Sequence, residues 1–336
     1  MHELRDITII GAGPTGLFAL FYAGMRGASA QIVDALGEPG GQLTALYPEK
    51  YIFDVGGVPK ILAKDLVRNL REQAGQFGQP IHLNQDVKAL HEADGHFVLA
   101  TATDRFPTRA VIVAAGIGAF APRRLPQACA GPWYGRGIYD RVLDPEAFRG
   151  KRVVIIGGGD TAFDWAVQLM DRAAALTLVH RSDRYRAHTA TVEQVTAAAA
   201  GGRVALLPFH ELRDVLADGD RLACLELSDL RAKSVRRVEA DAVLPMLGFV
   251  SDIGPLADWG LTLQQDEIVV NVQMETGRPG VYAAGDVVVY PGKLKLIANG
   301  FGEAAIAVNQ AVHRIYPDKK VSPGHSSNMA IFGQSE

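Results

Sequence analysis

The sequence predicts an α/β fold built from two similar three-layer (ββα) domains, one inserted into the other. Two glycine-rich motifs carry this prediction: GAGPTG at 11–16 and GGGDTA at 157–162. Each follows a β-branched apolar run and precedes a helical apolar pattern, which is the strand–turn–helix arrangement of a Rossmann-like dinucleotide-binding unit. A later strand pattern ending in YAAGD at 282–286 indicates that the chain returns to the first domain after completing the second.

The first unit is predicted to run as strand, helix and strand over residues 1–36. Its helix is indicated by apolar residues that recur with helical spacing, namely Leu17, Leu20, Phe21 and Met25. The pattern of 59–77 predicts an amphipathic helix, and short strands are expected from 81 to 114. The apolar run 110–116 predicts the buried strand that closes the first half of this domain.

A turn-rich stretch at 118–132 leads to a second unit that begins near Lys151. Beyond its fingerprint helix, the sequence predicts a helix at 189–200 and strands near 203–207, 222–228 and 234–243. We expect residues 244–248 (LPMLG) to form the crossing back to the first domain. The remaining elements are expected to be short alternating segments around 261–263 and 267–272, a strand at 280–286 and an alanine-rich helix at 302–315.

The residue that follows the second strand of each unit differs in chemistry. It is Asp34 in the first unit and His180, followed by Arg181, in the second. The ribose of a bound adenosine lies at this position. A carboxylate accepts hydrogen bonds from its hydroxyls and repels a 2′-phosphate, whereas a basic cluster attracts one. The first unit therefore suits FAD or NAD and the second suits NADP, a pairing built to move a hydride between flavin and nicotinamide.

These assignments predict an FAD-binding domain made of residues 1–117 and 247–336. Residues 118–246 are predicted to form an NADP-binding domain. Within each fingerprint, the first glycine allows the tight turn, the second lets the backbone approach the pyrophosphate, and the last small residue lets helix and strand pack closely. The phosphates are expected at the helix N-terminus, where free N–H groups and the helix dipole favour anions.

Composition excludes several other classes of protein. The net charge of −3 gives no reason to expect nucleic-acid binding. No apolar run reaches the roughly 18 residues that span a bilayer, and the first strand leaves no room for a signal peptide. The two cysteines, Cys129 and Cys224, lie far apart without a CxxC motif. We therefore expect a cytoplasmic protein without a zinc ribbon, local redox disulfide or other metal site.

The third motif, TGRPGVYAAGD at 276–286, is a strand that ends in Gly-Asp. An acid at the carboxyl end of a strand is well placed to hold a polyol, and a turn aspartate explains the same pattern equally well. Together with the first fingerprint and Asp34, the motif matches the way that a flavoprotein with two dinucleotide folds holds the ribityl chain.

Taken together, the motifs resemble those of the thioredoxin reductase-like pyridine nucleotide-disulfide oxidoreductases. Within that group the chain resembles the ferredoxin–NADP reductases of thioredoxin-reductase type. The resemblance covers essentially the whole chain, and it rests on GAGPTG, GGQLTALYPEKYIFDVGG (40–57), GGGDTA, HRSDRYRA (180–187), YAAGD, KLKLIANGFGEA (293–304) and SPGHSS (322–327). Thioredoxin reductase itself has a CxxC shortly before its second fingerprint, where this chain reads IYDRVL (138–143). Electrons would therefore leave the flavin directly for an outside acceptor.

The resemblance implies roles for individual residues. It places the rings of Tyr47 and His325 on the two faces of the flavin, where stacking shields the cofactor, and makes the tail 318–336 a cover over it. We expect Gly41 and Gln42 to place backbone N–H groups at the pyrimidine edge of the flavin, and Asp54 to lie near it. The FAD site is then Gly11, Gly13, Pro14, Thr15, Gly16, Asp34, Gln42, Tyr47, Val87, Phe120, Asp286, Ser326 and Ser327.

The NADP site implied by the same resemblance centres on a basic cluster. Its 2′-phosphate ligands would be His180, Arg181 and Arg186, because arginine pairs bidentately with phosphate. The sequence departs from the usual HRR at Ser182, which removes one positive charge that Arg184 would replace. The complete set is Gly157, Gly159, Asp160, Thr161, Ala162, His180, Arg181 and Arg186.

The reaction implied is electron transfer between NADPH and ferredoxin through FAD, in a homodimer. Two alternatives remain open: a flavodoxin reductase or diaphorase-like NADPH oxidase, and a non-catalytic flavin- and NADP-binding redox sensor. Ferredoxins are acidic, so a basic docking patch is expected, although an ordinary charged surface explains the candidates better. Those candidates are Arg123, Arg124, Arg136, Lys293 and Lys295.

Overall fold

A computed structural model gives the fold of the chain and describes residues 2–118, 121–142, 144–250, 253–320, 326–328 and 332. The chain divides into two compact units. Unit 1 combines residues 1–119 with 251–336, and unit 2 comprises residues 120–250. The boundaries expected from the sequence fall after residues 117 and 246. Each unit is described by itself.

The first part of unit 1 contains eight strands and three helices among its described residues. The strands are β1 (Arg5–Ile10), β2 (Ala30–Val33), β3 (Tyr51–Ile52), β4 (Ile61–Leu62), β5 (Ile81–His82), β6 (Ala89–Ala93), β7 (His96–Ala100) and β8 (Arg105–Val113). The helices are α1 (Pro14–Met25), α2 (Gln42–Ala45) and α3 (Ala63–Gly75). Strands β5, β2, β1 and β8 are parallel in that order, and β7 and β6 extend the sheet with antiparallel pairing.

Unit 2 is centred on a parallel sheet in the order β12-β11-β10-β16. Strands β13, β14 and β15 form a separate antiparallel sheet, and β9 pairs with β17. The strands are β9 (Ala121–Pro122), β10 (Arg152–Ile156), β11 (Ala175–His180), β12 (Ala205–Pro208), β13 (His210–Asp218), β14 (Arg221–Asp229), β15 (Val235–Glu239), β16 (Ala242–Pro245) and β17 (Phe249–Val250). The helices are α4 (Asp160–Leu169) and α5 (Thr189–Ala200).

The side chains of β10 alternate between two hydrophobic cores, which shows that unit 2 has three layers. Val153 and Ile155 pack into a core that also holds residues of α4 and α5. Val154 and Ile156 face the opposite way, into a core shared with leucines of β13 and β14. Successive side chains of a strand point to opposite faces, so the parallel sheet lies between a helical layer and an antiparallel sheet. This is the ββα arrangement that the sequence predicts.

The chain then completes unit 1 with four strands and one long helix in its described part. These are β18 (Leu263–Gln264), β19 (Glu267–Val269), β20 (Val281–Ala283), β21 (Val288–Val289) and α6 (Ile297–Ile315). Strand β20 pairs in parallel with β8, with Tyr282 opposite Ile112, and so joins the sheet of β1. Helix α1 packs against both α3 and α6. The carboxyl ends of β1, β8 and β20 therefore meet at one edge of the sheet.

Several element boundaries differ from the sequence-based expectation. Helix α3 occupies 63–75 rather than 59–77, because β4 takes the preceding residues. The expected strand at 234–243 is two strands, β15 and β16, which belong to different sheets. Residues 244 and 245 complete β16, so the expected crossing at 244–248 is shorter than predicted. Helix α6 begins at Ile297 rather than at Gly302.

No helix within the described ranges combines the length and the apolar character needed to cross a membrane.

Candidate functional site

The first glycine-rich loop leaves the start of α1 open to a ligand. Gly13 is the N-cap of α1, with extended backbone, and no side chain caps the helix there. A Cβ added at Gly13 would have no described protein atom within 4 Å, whereas one at Gly16 would lie 1.9 Å from the carbonyl oxygen of Gly11. Pro14, which lacks an N–H, occupies the first helical turn. The remaining first-turn N–H groups provide an anion site with room for phosphate.

Asp34 lies beside this loop, directly after β2. Its carboxylate accepts hydrogen bonds from the backbone N–H of Ala12 and, at 2.7 Å, from that of Leu36. The side chain is buried, and burial raises its pKa while the two backbone hydrogen bonds act in the opposite direction. Each carboxylate oxygen still has a second lone pair, so the residue can hold the loop and accept from a ribose hydroxyl.

The GGQL segment is joined to the first loop. The N–H of Gly40 donates to the carbonyl oxygen of Ala12 at 2.8 Å. Gly41 has φ +56°, in the left-handed region, and a Cβ there would lie 3.1 Å from the Cα of Gly13. Its glycine is therefore required both by the backbone conformation and by the close approach of the two loops. The segment continues as the short helix α2.

The third motif meets the first two at the carboxyl end of β20. Gln42 Nε2 donates to the carboxylate of Asp286 at 3.3 Å. A Cβ added at Gly285 would lie 2.9 Å from Thr15 Oγ1. Three motifs that are far apart in sequence therefore converge at one place in unit 1.

Tyr47 belongs to the same cluster. Its ring is half-buried and packs against the core of unit 1. Burial and the nearby charge of Asp286 raise the pKa of Tyr47 to about 12. The phenol therefore stays protonated at neutral pH, as an uncharged stacking surface requires.

The other residues expected at the FAD site take no part in these contacts or lie outside the residues that the structure describes. Val87 is buried in the core of unit 1, and Asp54 is exposed beyond β3. Ser326 and Ser327 are exposed in a short 3-10 turn. His325 and Phe120 lie outside the described residues.

The second glycine-rich loop, in unit 2, has the same construction. Gly159 is the N-cap of α4, with extended backbone, no side-chain cap and no described protein atom within 4 Å of an added Cβ. A Cβ at Gly157 would lie 2.3 Å from the carbonyl oxygen of Met246. Ala162 is fully buried, and Thr161 is half-buried in the first turn of the helix. The loop thus offers a second anion site at a helix N-terminus.

The basic cluster closes over this second loop. The N–H of Arg186 donates to the carbonyl oxygen of Gly158 at 2.7 Å, and Asp160 Oδ1 accepts from the N–H of His188 at 2.9 Å. The side chains of Arg181 and Arg186 are exposed. Asp160 therefore holds the 186–188 segment in place, a structural role that the sequence did not indicate.

His180 behaves differently from its arginine neighbours. Its ring packs against the second loop, since a Cβ at Gly158 would lie 2.4 Å from the ring. Burial lowers the pKa of His180 below its usual range, against an opposing backbone hydrogen bond with Arg184 and with smaller lowering effects from Arg181 and Arg186. Neutral imidazole adds no charge for a 2′-phosphate, so in this cluster that charge would have to come from the arginines. Ser182 exchanges hydrogen bonds with the backbone of Arg184, at 3.3 Å each.

The expectation that Lys293 lies in a docking patch at the surface is wrong. The side chain of Lys293 is only 5% exposed and forms an ion pair with Glu303, which is itself 4% exposed. A buried, paired lysine has no surface for a partner protein to contact. The other four candidates are exposed. Among them, Lys295 pairs with Glu267, Arg124 with Asp140 at 3.9 Å and Arg136 with Asp220 at 3.5 Å.

Sequence reasoning missed Glu303 as a site residue. Its carboxylate accepts from the N–H of Gly285, adjacent to Asp286, at 2.7 Å. The signal was present in the pattern of α6, because residue 303 falls on the apolar stripe of the helix. That stripe comprises Gly300, Ala304, Ala307, Val308 and Ala311. A lone acid on a buried helical face requires partners.

The two loops define the class of protein: an α/β protein with two dinucleotide sites, one beside a carboxylate and the other beside arginines. A family model described as pyridine nucleotide-disulphide oxidoreductase matches residues 5–311. The chain belongs to this family.

Individual relatives support the family assignment. The chain is 48% identical to a ferredoxin–NADP reductase of Thermus thermophilus and 46% identical to one of Halalkalibacterium halodurans, each over 98% of both chains. The structure resembles thioredoxin reductase from T. acidophilum with a TM-score of 0.80 at 25% identity, covering 93% of this chain and 98% of that one. Lactococcus lactis thioredoxin reductase matches with a TM-score of 0.79 at 23% identity, covering 93% and 99%. The last likeness concerns the fold alone.

Proposed function

We propose that this protein is an FAD-dependent enzyme that transfers electrons between NADPH and a ferredoxin. The observation that carries the proposal is the pair of open helix N-termini at Gly13 and Gly159. The first lies beside Asp34, and the second lies beside two exposed arginines. The curated relatives reported above, both named as ferredoxin–NADP reductases, support the same reaction.

The residues of unit 1 fit FAD. The N–H groups at the start of α1 would bind its pyrophosphate, and Asp34 would accept from its ribose. Asp286, held by Gln42, would accept from the hydroxyls of the ribityl chain, and Tyr47 would stack on the ring system. When bound, FAD accepts a hydride from NADPH and releases electrons singly to the iron–sulfur protein.

The residues of unit 2 fit NADPH. The start of α4 would bind the pyrophosphate, while Arg181 and Arg186 would pair with the 2′-phosphate. The backbone of Arg186 is fixed on the second loop by its bond to Gly158. This bond fixes the main chain from which the arginine side chain extends before the coenzyme arrives, which reduces the entropy lost on binding.

The cysteines of this chain indicate that the electrons leave the flavin for an acceptor outside the protein. The sequence contains only Cys129 and Cys224, both free. Burial is the main cause that raises the pKa of the Cys129 thiol, the opposite of what a reactive thiolate requires. We infer that no internal dithiol carries electrons onward, which separates this reaction from that of a thioredoxin reductase.

Acceptor profiling tests the proposal. NADPH-dependent reduction of cytochrome c is measured with the purified FAD-loaded protein, with and without added ferredoxin. We expect the rate to depend on ferredoxin. Activity with flavodoxin or with dyes alone would contradict ferredoxin as the partner, and slow turnover with every acceptor would indicate a redox sensor instead.

We further propose that the protein acts as a homodimer in the cytoplasm, with its tail over a flavin. The family resemblance of SPGHSS at 322–327 supports the tail assignment, and the absence of paired cysteines fits a reducing compartment. Light scattering on the eluting FAD-loaded protein tests the dimer, which requires twice the chain mass of 36.0 kDa.

A further inference from the structure

A single buried carboxylate joins three segments of unit 1. Glu303, on α6, accepts at Oε1 from Lys293 and, at 2.7 Å, from the hydroxyl of Tyr290. Its Oε2 accepts from the N–H of Gly285 at 2.7 Å. The carboxylate therefore connects α6, the turn after β20 and the loop after β21.

Because the ion pair of Glu303 and Lys293 is buried, losing either side chain would destabilise the turn that they hold. The side chains of Glu303 and Lys293 are 4% and 5% exposed, so neither charge is solvated by bulk water. Their opposite charges compensate each other, and the remaining donors satisfy the carboxylate oxygens. Removing one member of such a pair leaves an uncompensated buried charge, which is strongly unfavourable.

The carboxylate acts next to the residue that would hold the flavin. Gly285 precedes Asp286 and has φ +88°, in the left-handed region. Its backbone is confined on one side by Thr15 of the first fingerprint and on the other by Glu303. The direction in which Asp286 leaves the turn, toward Gln42 and Tyr47, is set by these two contacts.

We propose that Glu303 is a positioning residue for FAD, which acts by fixing the Gly285–Asp286 turn with the help of Lys293 and Tyr290. This inference rests on the proposed function, since FAD is the group that the turn would hold. An amide cannot replace the carboxylate. Gly285 N–H and Lys293 Nζ can only donate, and they contact different oxygens of Glu303, so the NH₂ of glutamine would face one of them.

The test measures the affinity of the FAD-free protein for FAD by flavin fluorescence, together with the visible absorption spectrum of the bound flavin. Glu303→Gln is expected to raise the Kd for FAD about tenfold or more. Tyr290→Phe removes one hydroxyl without changing shape, so we expect a rise of about threefold. Both variants should shift the flavin absorption maximum, because the Asp286 carboxylate moves.

Two matched controls separate positioning from general loss of stability. Val308→Ala removes methyl groups from the same helix and lowers the melting temperature, but it should leave FAD affinity unchanged. Lys295→Met removes the exposed ion pair with Glu267, two residues beyond Lys293, and should also leave FAD affinity unchanged. If Glu303→Gln does not fold, the charge-neutral pair Lys293→Met/Glu303→Leu takes its place, because leucine offers no oxygen to the N–H of Gly285.

The outcomes distinguish this inference from the proposed function. Wild-type affinity and spectrum in Glu303→Gln or the paired variant, or an effect no larger than that of Val308→Ala, would overturn the inference and leave the function intact. A wild-type protein that takes up no FAD would overturn both.

Discussion

Thr15 shows how one side chain can require glycine at two distant positions. A Cβ added at Gly300 would lie 2.3 Å from Thr15 Oγ1, and one at Gly285 would lie 2.9 Å from the same atom. The hydroxyl thus fits between the third motif and α6. Glycine at 300 is retained inside a helix, despite its low helix propensity, because α6 must approach the first loop.

Gly300→Ala is therefore expected to destabilise the protein by about 1–3 kcal/mol through overpacking. Thr15→Ala should restore much of this loss in the double variant, because the nearest remaining atom, Thr15 Cβ, lies 3.5 Å away. Urea unfolding of the FAD-free protein measures both. Gly302→Ala is the control: it lies in the same helix with open space around its Cβ and should be neutral or stabilising. Equal losses at 300 and 302 would contradict the packing argument.

His180 and Arg181 are neighbours with separable roles. Because burial lowers the pKa of His180, its ring is neutral at pH 7 and acts as a packing surface for Gly158. Arg181 is exposed and charged. Arg181→Ala should lower kcat/KM for NADPH about tenfold or more and leave NADH unaffected, whereas His180→Asn should affect both coenzymes alike.

Steady-state kinetics with both coenzymes checks this prediction in the wild type and the two variants. Arg184→Ala tests whether Arg184 compensates for Ser182, since a selective loss with NADPH would show that it does. Arg203→Ala, at an exposed arginine of the same unit that pairs with Asp171, is the matched control. Equal kcat/KM for NADPH and NADH in the wild type would show that the cluster does not select the 2′-phosphate.

At the scale of elements, the strand–turn–helix units were predictable and some of their surroundings were not. The fingerprints predict β1–α1 and β10–α4 because glycine spacing and apolar runs are local signals. Strand β13 was missed because two register shifts, at 212/214 and 216/217, interrupt its alternation. The start of α6 was missed because Gly300 and Gly302 resemble helix breakers, while the packing that requires one of them is not visible in sequence.

The tail is the element whose role remains a prediction. The Arg26 side chain donates to the carbonyl oxygen of Lys320 at 2.5 Å, and the Phe332 ring lies 6.3 Å from that of Phe21. Two parts of the tail are therefore attached to the region of α1. The family resemblance places His325, between them, on a flavin face.

Deleting residues 322–336 is expected to change the rate of hydride transfer from NADPH to bound FAD and to expose the flavin to solvent. Stopped-flow absorbance measures the rate, and quenching of flavin fluorescence by iodide measures the exposure. The FAD content of each preparation is determined first, so that lost cofactor is not mistaken for a change in rate. His325→Ala should reproduce part of the effect, and unchanged rate and exposure after deletion would reject the gating role.

At the scale of the whole molecule, the sequence predicts which motifs belong to the same unit but not which hydrogen bonds and ion pairs join them. Asp34, Gln42 and Asp286 were predicted individually, from motifs separated by up to about 250 residues. The hydrogen bond between Gln42 and Asp286 and the burial of Lys293 depend on tertiary packing, which a local pattern does not encode. Lys293 was expected at the surface because lysine is rarely buried unless it is paired, and its partner is ten residues away on α6.

The assignment of one coenzyme to each unit makes a prediction about the entire chain. Amide hydrogen exchange, followed by mass spectrometry, should report two separate footprints. Saturating FAD is expected to slow exchange in 11–17, 40–47 and 284–288, where the three motifs of unit 1 meet. NADP⁺ should instead slow exchange in 157–163 and 180–188, around the second loop.

The expected size of these footprints follows from linkage. A ligand at 100 times its Kd stabilises the binding-competent state by about 2.7 kcal/mol, which slows amides that exchange through ligand-sensitive opening about 100-fold. The β6–β7 hairpin at 89–100, in the sheet of unit 1, is an internal reference that should not change with NADP⁺. NAD⁺, which lacks the 2′-phosphate, should protect 180–188 less than NADP⁺ does, since Arg181 and Arg186 then lack their partner. Protection of 11–17 by NADP⁺ in place of FAD would reverse the assignment, because the carboxylate of Asp34 would then be the ribose ligand of the nicotinamide coenzyme.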